Sequence, residues 1–211
     1  TNEMLSSVLD IYVITANSPE FTKYDIFSRL NKGAEKLKVN EIRKAVYRSE
    51  ALKTIEDYVK ANVDMPQYKL IFTPNDIKRY EDYGRFYRSV AYYVCTDDTS
   101  NVVKGYNSRP REMINDVLYK LQNKELVIPQ GVLINIIEQT IQLMIRFSEN
   151  PAKQYLVDAC IHFAVLNPQK LMEKSKQIEE DTQIVNSLEK SPSTTTNVNL
   201  RIKRVNQIMN S

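Results

Sequence analysis

Basic side chains are concentrated in one stretch of the chain, residues 21–53. This window holds nine Lys and Arg residues against four Asp and Glu residues, whereas all 211 residues carry a net charge of only +3. Cationic side chains at this density neutralise phosphate, and Asn and Arg are the residue types that read adenine and guanine. The window therefore predicts a nucleic-acid interface. Its candidate residues are Asn40 and Arg43 near the bases, Lys23, Lys32 and Lys36 on phosphate, and also Lys38, Lys44, Tyr47 and Arg48.

A second stretch, residues 79–93, interleaves arginine with aromatic side chains in the order RYEDYGRFYRSVAYY. Aromatic faces stack on unpaired bases and guanidinium groups neutralise phosphate, a combination typical of proteins that hold single strands. The candidates here are Arg85, Tyr87 and Arg88. The alternative is structural: a strand whose aromatic face packs against the helices while its arginines stay in water.

Residues able to catalyse a reaction are scarce. The single histidine, His162, lies in the apolar segment ACIHFAVL, which favours a packed side chain over a metal ligand or a general base. A structural zinc site uses about four Cys or His ligands, and this chain has two Cys and one His. Its four glycines are too scattered for a phosphate-binding loop. The acidic pairs 97–98 and 179–180 lie in polar segments typical of a solvated surface. We therefore expect a protein that is not an enzyme, without a metal or cofactor.

The elements that would position the basic window have the outline of a helix-turn-helix. Apolar residues recur at helical spacing in residues 3–15, 21–30 and 39–61, and Ser49 marks a bend or break in the third segment. The second helix of a helix-turn-helix, the recognition helix, presents its first residues to base edges in the major groove. Two features favour an ordinary all-α protein instead. The turn at residues 31–38 is longer than the usual three or four residues, and paired helices around a glycine turn are common in such proteins.

Two short strands are predicted after these helices. Residues 68–73 and 84–96 are rich in aromatic and β-branched side chains. A helical trio followed by two strands is the order of a winged helix, and the outline FTKYDIF…VNEIRKAV resembles winged-helix heads in general, over about a third of the chain. The predicted fold class is therefore mainly α with a small β element, with a winged-helix-like N-terminal head followed by a helical C-terminal half.

The rest of the chain is helical in character. Helices are predicted at residues 112–122, 129–147, 151–166 and 168–188, and two of them begin at an Asn-Pro pair, in which Asn caps the helix and Pro occupies its first turn. Residues 191–196 are a short low-complexity break, and residues 197–211 form an amphipathic segment with too little apolar surface to fold alone. The predicted organisation is a head at 1–96, a linker or exposed loop at 97–110, a helical bundle at 111–190 and a flexible basic segment at 191–211.

Composition bounds the setting of the protein. The chain is 42% apolar, enough for an ordinary core, and has no run near the roughly 20 apolar residues that cross a bilayer. No secretory signal is recognised at its start, so a cytoplasmic, membrane-free location is expected. Cys95 and Cys160 lie in apolar surroundings and predict reduced core thiols rather than a disulfide.

Two functions from different classes follow. The first is a non-enzymatic nucleic-acid-binding protein, a helix-turn-helix regulator or replication accessory factor acting on duplex DNA. The Lys, Asn and Ile bias indicates an AT-rich genome, such as that of a phage or plasmid. The alternative is a structural or assembly protein, such as a virion or connector component. It would form a homo-oligomer through residues 111–211, with its C-terminal segment docked on a neighbouring subunit.

Overall fold

The computed structural model describes residues 37–211 together with the isolated positions Thr22 and Ile26. This part of the chain contains eleven α-helices. They are α1 (Val39–Val46), α2 (Glu50–Asn62), α3 (Pro66–Ile71), α4 (Pro74–Lys78), α5 (Glu81–Cys95), α6 (Pro110–Gln122), α7 (Gln130–Arg146), α8 (Lys153–Leu166), α9 (Pro168–Glu180), α10 (Thr182–Glu189) and α11 (Thr195–Met209). The helices predicted at residues 3–15 and 21–30 lie outside the described residues, as does most of the turn that follows them.

The mainly helical character is confirmed, but the small β element is wrong. In residues 37–211, β structure is limited to one antiparallel bridge between Thr96 and Val103. The predicted strands fall in α3 and in α5. Because both strands of the expected wing are helical, the winged-helix head is wrong as well.

The spacing of buried residues explains why residues 84–96 form a helix. Phe86 and Tyr87 are neighbours and both are buried, and the neighbours Val90 and Ala91, three to five residues further on, are buried too. A half-buried strand would bury alternate residues, whereas residues 82–87 and 89–92 of α5 are all buried, as in a helix that is packed on most of its faces. The aromatic content of the segment reflects its place in the core.

The third predicted helix, over residues 39–61, is broken at the serine. Ser49 caps α2, since its hydroxyl accepts a hydrogen bond from the backbone N–H of Leu52 at 3.2 Å. The expected bend or break is therefore confirmed, and it separates α1 from α2.

Three helices form the centre of the described fold: α5, α7 and α8 pack against one another, and α8 also contacts α9 and α11. Every residue of α8 from Leu156 to Ala164 is buried. A helix that is buried on all its faces must lie inside the fold rather than on its surface. The apolar core is one cluster with residues from both sides of the 97–110 segment, while the division into a head and a helical half stays a prediction.

The helices of the second half closely follow their predicted bounds. Asn167 caps α9 by accepting a hydrogen bond from the N–H of Lys170 at 3.1 Å. The helix predicted over residues 168–188 is divided at Asp181, whose carboxylate accepts hydrogen bonds from the N–H groups of Gln183 and Ile184, each at 3.1 Å. An aspartate in this position starts a new helix.

The C-terminal segment differs from the flexible tail that its sequence predicts, because residues 195–209 form α11. Its apolar face is buried against α8, α9 and α10. The 97–110 segment is joined to it, since Asn199 accepts a hydrogen bond from the N–H of Val103 at 2.9 Å and the carbonyl of Ser193 accepts one from the hydroxyl of Tyr106 at 2.7 Å. A segment too small to fold alone is held by the surface of its own chain.

In the part of the chain that the structure describes, no helix has both the length and the apolar content required to cross a membrane.

Candidate nucleic-acid interface

The two predicted base-reading residues of α1 are turned into the protein. Asn40 is 8% exposed and Arg43 is 5% exposed. The side-chain amide of Asn40 donates to a carboxylate oxygen of Glu81 at 2.8 Å, and its oxygen accepts from Nη1 of Arg43 at 3.1 Å. Both side chains are committed to helix contacts, and neither offers hydrogen-bonding groups to a base.

The remaining donors of Arg43 hold α1 against α6. Its Nε donates to the side-chain oxygen of Asn115 at 2.9 Å, and its Nη2 donates to the backbone carbonyl of Arg111 at 3.3 Å. The partners lie about seventy positions away in the sequence. The guanidinium therefore acts as a tie between helices.

Gly84 gives α1 its close approach to α5. A Cβ atom at Gly84 would lie 2.1 Å from Nδ2 of Asn40 and 2.4 Å from its Cγ. Real Cβ atoms do not approach other atoms so closely, so only glycine allows Asn40 to lie flat on α5.

The candidates from the second basic stretch also lie in the core. Tyr87 is 2% exposed. Arg85 and Arg88 converge on one carboxylate, that of Asp158 in α8: Nη2 of Arg85 lies 2.5 Å from Oδ1, and Nε of Arg88 lies 2.9 Å from Oδ1 and 2.8 Å from Oδ2. Tyr87 and Arg85 are therefore buried, and the partly exposed Arg88 is held by the carboxylate of Asp158. The structural alternative describes the aromatic side chains correctly, but the arginines are not solvated.

The electrostatics of this cluster follow from its burial. Burial opposes the ionisation of Asp158, but the positive charges of Arg88 and Arg85 outweigh it and lower the pKa of the carboxyl below its usual value. Burial also disfavours the charged form of Arg88, yet the charge of Asp158 and its hydrogen bonds raise the pKa of that guanidinium. The cluster stays ionised and joins α5 to α8.

The basic side chains that remain at the surface line a groove beside α1 and α2. This groove, which we call the basic groove, has a volume of about 610 Å³ and is bounded by the α1–α2 turn, the outer face of α2 and the end of α6. Five of its lining residues are cationic and three are acidic. The cations are Lys44, Arg48, Lys53, Lys60 and Lys124, and the acids are Glu50, Glu56 and Asp57.

Two of the five cations are occupied by one acid. The ammonium groups of Lys44 and Lys60 lie 3.3 and 2.9 Å from Oε1 of Glu56. Hydrogen bonding from Lys60, assisted by Lys44, lowers the pKa of Glu56 against the effect of its partial burial. Lys44 also lies 4.7 Å from the centre of the Tyr83 ring, within cation–π range. Glu56 therefore occupies the position that an external anion would take between these lysines.

The other three cations are available to a ligand. Arg48, Lys53 and Lys124 are exposed, and within residues 37–211 none of the three forms a salt bridge. The backbone N–H of Arg48 donates to the side-chain oxygen of Gln122 at 2.8 Å, which fixes the α1–α2 turn against the end of α6. The groove thus has a defined shape and an unbalanced positive charge.

The remaining predicted residues are dispersed. Lys38 is exposed at the start of α1, and its Nζ lies 3.5 Å from Oε1 of Glu81. Tyr47 is 5% exposed and lines the basic groove without projecting from it. Lys23, Lys32 and Lys36 lie outside the described residues. Of the predicted residues that the structure describes, four line the basic groove: Lys44, Tyr47, Arg48 and, buried at its floor, Tyr87.

The sequence pattern did not place Lys53, Lys60 or Lys124 among the candidates. Lys53 and Lys60 lie one and three turns into α2, and their spacing on one helix face was available as a signal. Lys124 is joined to them only by the fold. A cluster that is assembled from distant segments leaves no local pattern.

The groups that could support catalysis are held in structural contacts. The ring of His162 is 6% exposed; its Nε2 lies 2.6 Å from a carboxylate oxygen of Asp98, and its Nδ1 lies 3.1 Å from the carbonyl of Tyr93. Cys95 and Cys160 are free thiols, and burial raises the pKa of Cys95 to about 11. Among the described residues, no group of three or more His, Cys, Asp or Glu side chains could hold a metal ion.

Comparisons with known protein families, with curated proteins and with solved structures found no match.

Proposed function

We propose that this protein binds nucleic acid without acting as an enzyme, and that the basic groove is its interface. The observation that carries the proposal is the charge of the groove: five cations face three carboxylates, and Arg48, Lys53 and Lys124 have no acidic partner among the described residues. A surface concavity with surplus positive charge attracts a polyanion and releases counterions when phosphates replace them.

The expected signature is a dependence of affinity on salt. For a duplex, the logarithm of the binding constant falls with the logarithm of salt concentration by about 0.9 for each phosphate neutralised, and for a single strand by about 0.7. Three contacts, one for each unpaired cation of the groove, give slopes of about 2.7 and about 2.1. Between 50 and 200 mM salt, duplex affinity would then fall about 40-fold through this groove.

The test compares two triple variants of the full chain. In the groove variant, Arg48, Lys53 and Lys124 are each replaced by Gln. In the control variant, three exposed lysines outside the groove, namely Lys176, Lys190 and Lys203, are replaced by Gln. Both variants lose three positive charges, so a difference between them reports position rather than net charge. Binding to labelled duplex and single-stranded DNA is measured by anisotropy across a salt series.

The proposal requires that the groove variant bind more weakly and that its duplex salt slope be smaller by about 2.7. The control variant should keep most of the wild-type affinity and most of the wild-type slope. Equal losses in the two variants would contradict an interface at the groove. No binding by the wild-type chain, or binding to anionic lipid vesicles alone, would overturn nucleic-acid binding itself. Circular dichroism of each variant shows whether the fold is retained.

A second candidate is the assembly of several copies. Val127 and Leu166 are among the most exposed large apolar side chains of the described residues, at 77% and 61%, and a contact between copies would bury them. The C-terminal segment does not add to this candidate, because α11 packs on its own chain instead of extending toward a neighbouring subunit. Light scattering of the full chain tests this candidate, and replacement of both exposed residues by Gln should reduce the mass if they form the contact.

A further inference from the structure

We infer that the basic groove binds the sugar–phosphate backbone and does not read bases, so that binding is independent of nucleotide sequence. This inference rests on the proposed function and adds to it the part of the ligand that is recognised. Three features support it: the hydrogen-bonding groups of α1, the aromatic rings of the groove and its unpaired cations. The amide of Gln122, which also lines the groove, holds the α1–α2 turn through its oxygen.

Hydrogen-bond readout requires side chains with paired donors and acceptors that can reach a base edge. In α1, those side chains are Asn40 and Arg43, and their polar groups are used by Glu81, Asn115 and the carbonyl of Arg111. Releasing them would break the contacts that hold α1 to α5 and α6. The helix that resembled a recognition helix is therefore a packing helix.

Stacking readout requires an aromatic face in solvent. The aromatic residues that line the groove are Tyr47, Tyr83 and Tyr87, which are 5%, 6% and 2% exposed. Tyr83 packs edge to face against Tyr87, with ring centres 6.2 Å apart, and Lys44 covers the Tyr83 ring. No open face is left on these rings for a base to stack upon.

The available chemistry is that of point cations. Lys53 and Lys124 carry ammonium groups, which neutralise phosphate but do not distinguish bases, and Arg48 carries a guanidinium, which bonds either to phosphate or to guanine. The three side chains come from the first turn of α2, the loop after α6 and the α1–α2 turn. Three cations that come from separate segments of one groove can each neutralise a phosphate.

The experiment measures the dissociation constants of three DNA duplexes of equal length. The first alternates A and T, the second alternates G and C, and the third has a mixed sequence. We expect dissociation constants within about threefold of one another, because a base-specific contact changes affinity by about 5- to 150-fold. The Arg48→Lys variant separates the two uses of the guanidinium. It keeps the charge, so affinity should stay within about threefold for every duplex if Arg48 binds phosphate.

A preference of more than about threefold for one duplex, or a loss confined to the G and C duplex in Arg48→Lys, would overturn this inference while leaving nucleic-acid binding in place. Failure of the wild-type chain to bind any duplex would instead overturn the proposed function. Uniform binding whose salt slope falls in the groove variant supports both.

Discussion

Replacement of Gly84 by Ala tests how closely α1 approaches α5. The new Cβ would lie 2.1 Å from Nδ2 of Asn40, whereas ordinary contacts between such atoms begin near 3.5 Å. Either the two helices separate by about 1.4 Å at this point or Asn40 turns away. Turning away breaks its hydrogen bonds to Glu81 and Arg43.

Two opposing effects decide the size of the change. Alanine is favoured over glycine inside a helix by about 1 kcal/mol. Overpacking costs about 1–3 kcal/mol, and each lost hydrogen bond to a charged group costs about 1.5–3 kcal/mol if no partner replaces it. We expect Gly84→Ala to lower the free energy of unfolding by about 2 kcal/mol, and therefore the melting temperature by about 4–8 °C for a chain of this size.

The assay is urea unfolding followed by circular dichroism, with Gly131→Ala as the matched control. Gly131 lies in α7 and has no atom within 4 Å of its added Cβ, so its replacement should stabilise by about 0.5 kcal/mol. In an Asn40→Ala background the side-chain amide that the new Cβ would meet is absent, so Gly84→Ala should then be neutral or stabilising. The packing argument is refuted if Gly84→Ala costs the same with and without Asn40, or costs nothing in the wild-type chain.

Three further predictions follow from the charges and from α11. Asp158→Asn leaves two buried guanidinium groups unpaired and should cost about 3–5 kcal/mol in urea unfolding, against less than about 0.5 kcal/mol for the exposed control Asp57→Asn. The folded state lowers the pKa of Asp158, so this carboxylate stabilises the fold fully above the unfolded carboxyl pKa, about 4, and the stabilisation is lost as pH falls through the folded pKa. The free energy of unfolding of Asp158→Asn should therefore decline less below about pH 4 than that of wild type. Glu56→Gln frees two lysines of the basic groove and should strengthen DNA binding about two- to fivefold in the anisotropy assay, whereas weaker binding would contradict the role given to Glu56. Deletion of residues 191–211 removes five buried apolar side chains, worth about 8–15 kcal/mol, and should unfold the chain as judged by circular dichroism; a cooperative melt near that of wild type would show that α11 is dispensable.

The helices that carry their own end signals were predictable from the sequence. Asn167 before Pro168 marks the start of α9, and Ser49 marks the start of α2, because a side-chain oxygen satisfies the free N–H groups of a first turn through residues only three positions away. Information of this kind is local, so it can be recognised without the fold. The Asp181 cap is of the same kind and was available as a signal for dividing residues 168–188.

The secondary structure of residues 84–96 was not predictable from its residue types. Aromatic and β-branched side chains suit strands, but the same side chains fill the core position of a helix when the fold surrounds it. Residues 82–87 and 89–92 are all buried, because other helices pack on most faces of α5. In a short apolar segment, strand and helix patterns overlap, and tertiary packing makes the choice.

The basic window was found correctly as a concentration of charge, but its orientation was not. The apolar stripe of α1 predicts Arg43 on the solvent side, and the structure buries it at 5% exposure because Asn115 and the carbonyl of Arg111 supply acceptors from α6. A long charged side chain is buried when distant segments satisfy its donors. Those partners lie outside any local window, so a sequence cannot show which of its cations remain in water.

The burial of several arginines limits the affinity that the proposed interface can reach. The donors of arginines that hold helices together, such as Arg43, Arg85 and Arg88, are used inside the protein, so the number of basic residues in the sequence overstates how many can contact a ligand. If the groove binds nucleic acid as proposed, its three unpaired cations would provide weak binding that salt readily reverses. Tight retention on a long polyanion would then require several grooves to act together, and linked sites increase overall affinity without any new contact. Nucleic-acid binding and self-association through exposed apolar residues are therefore compatible, since the second would multiply the first.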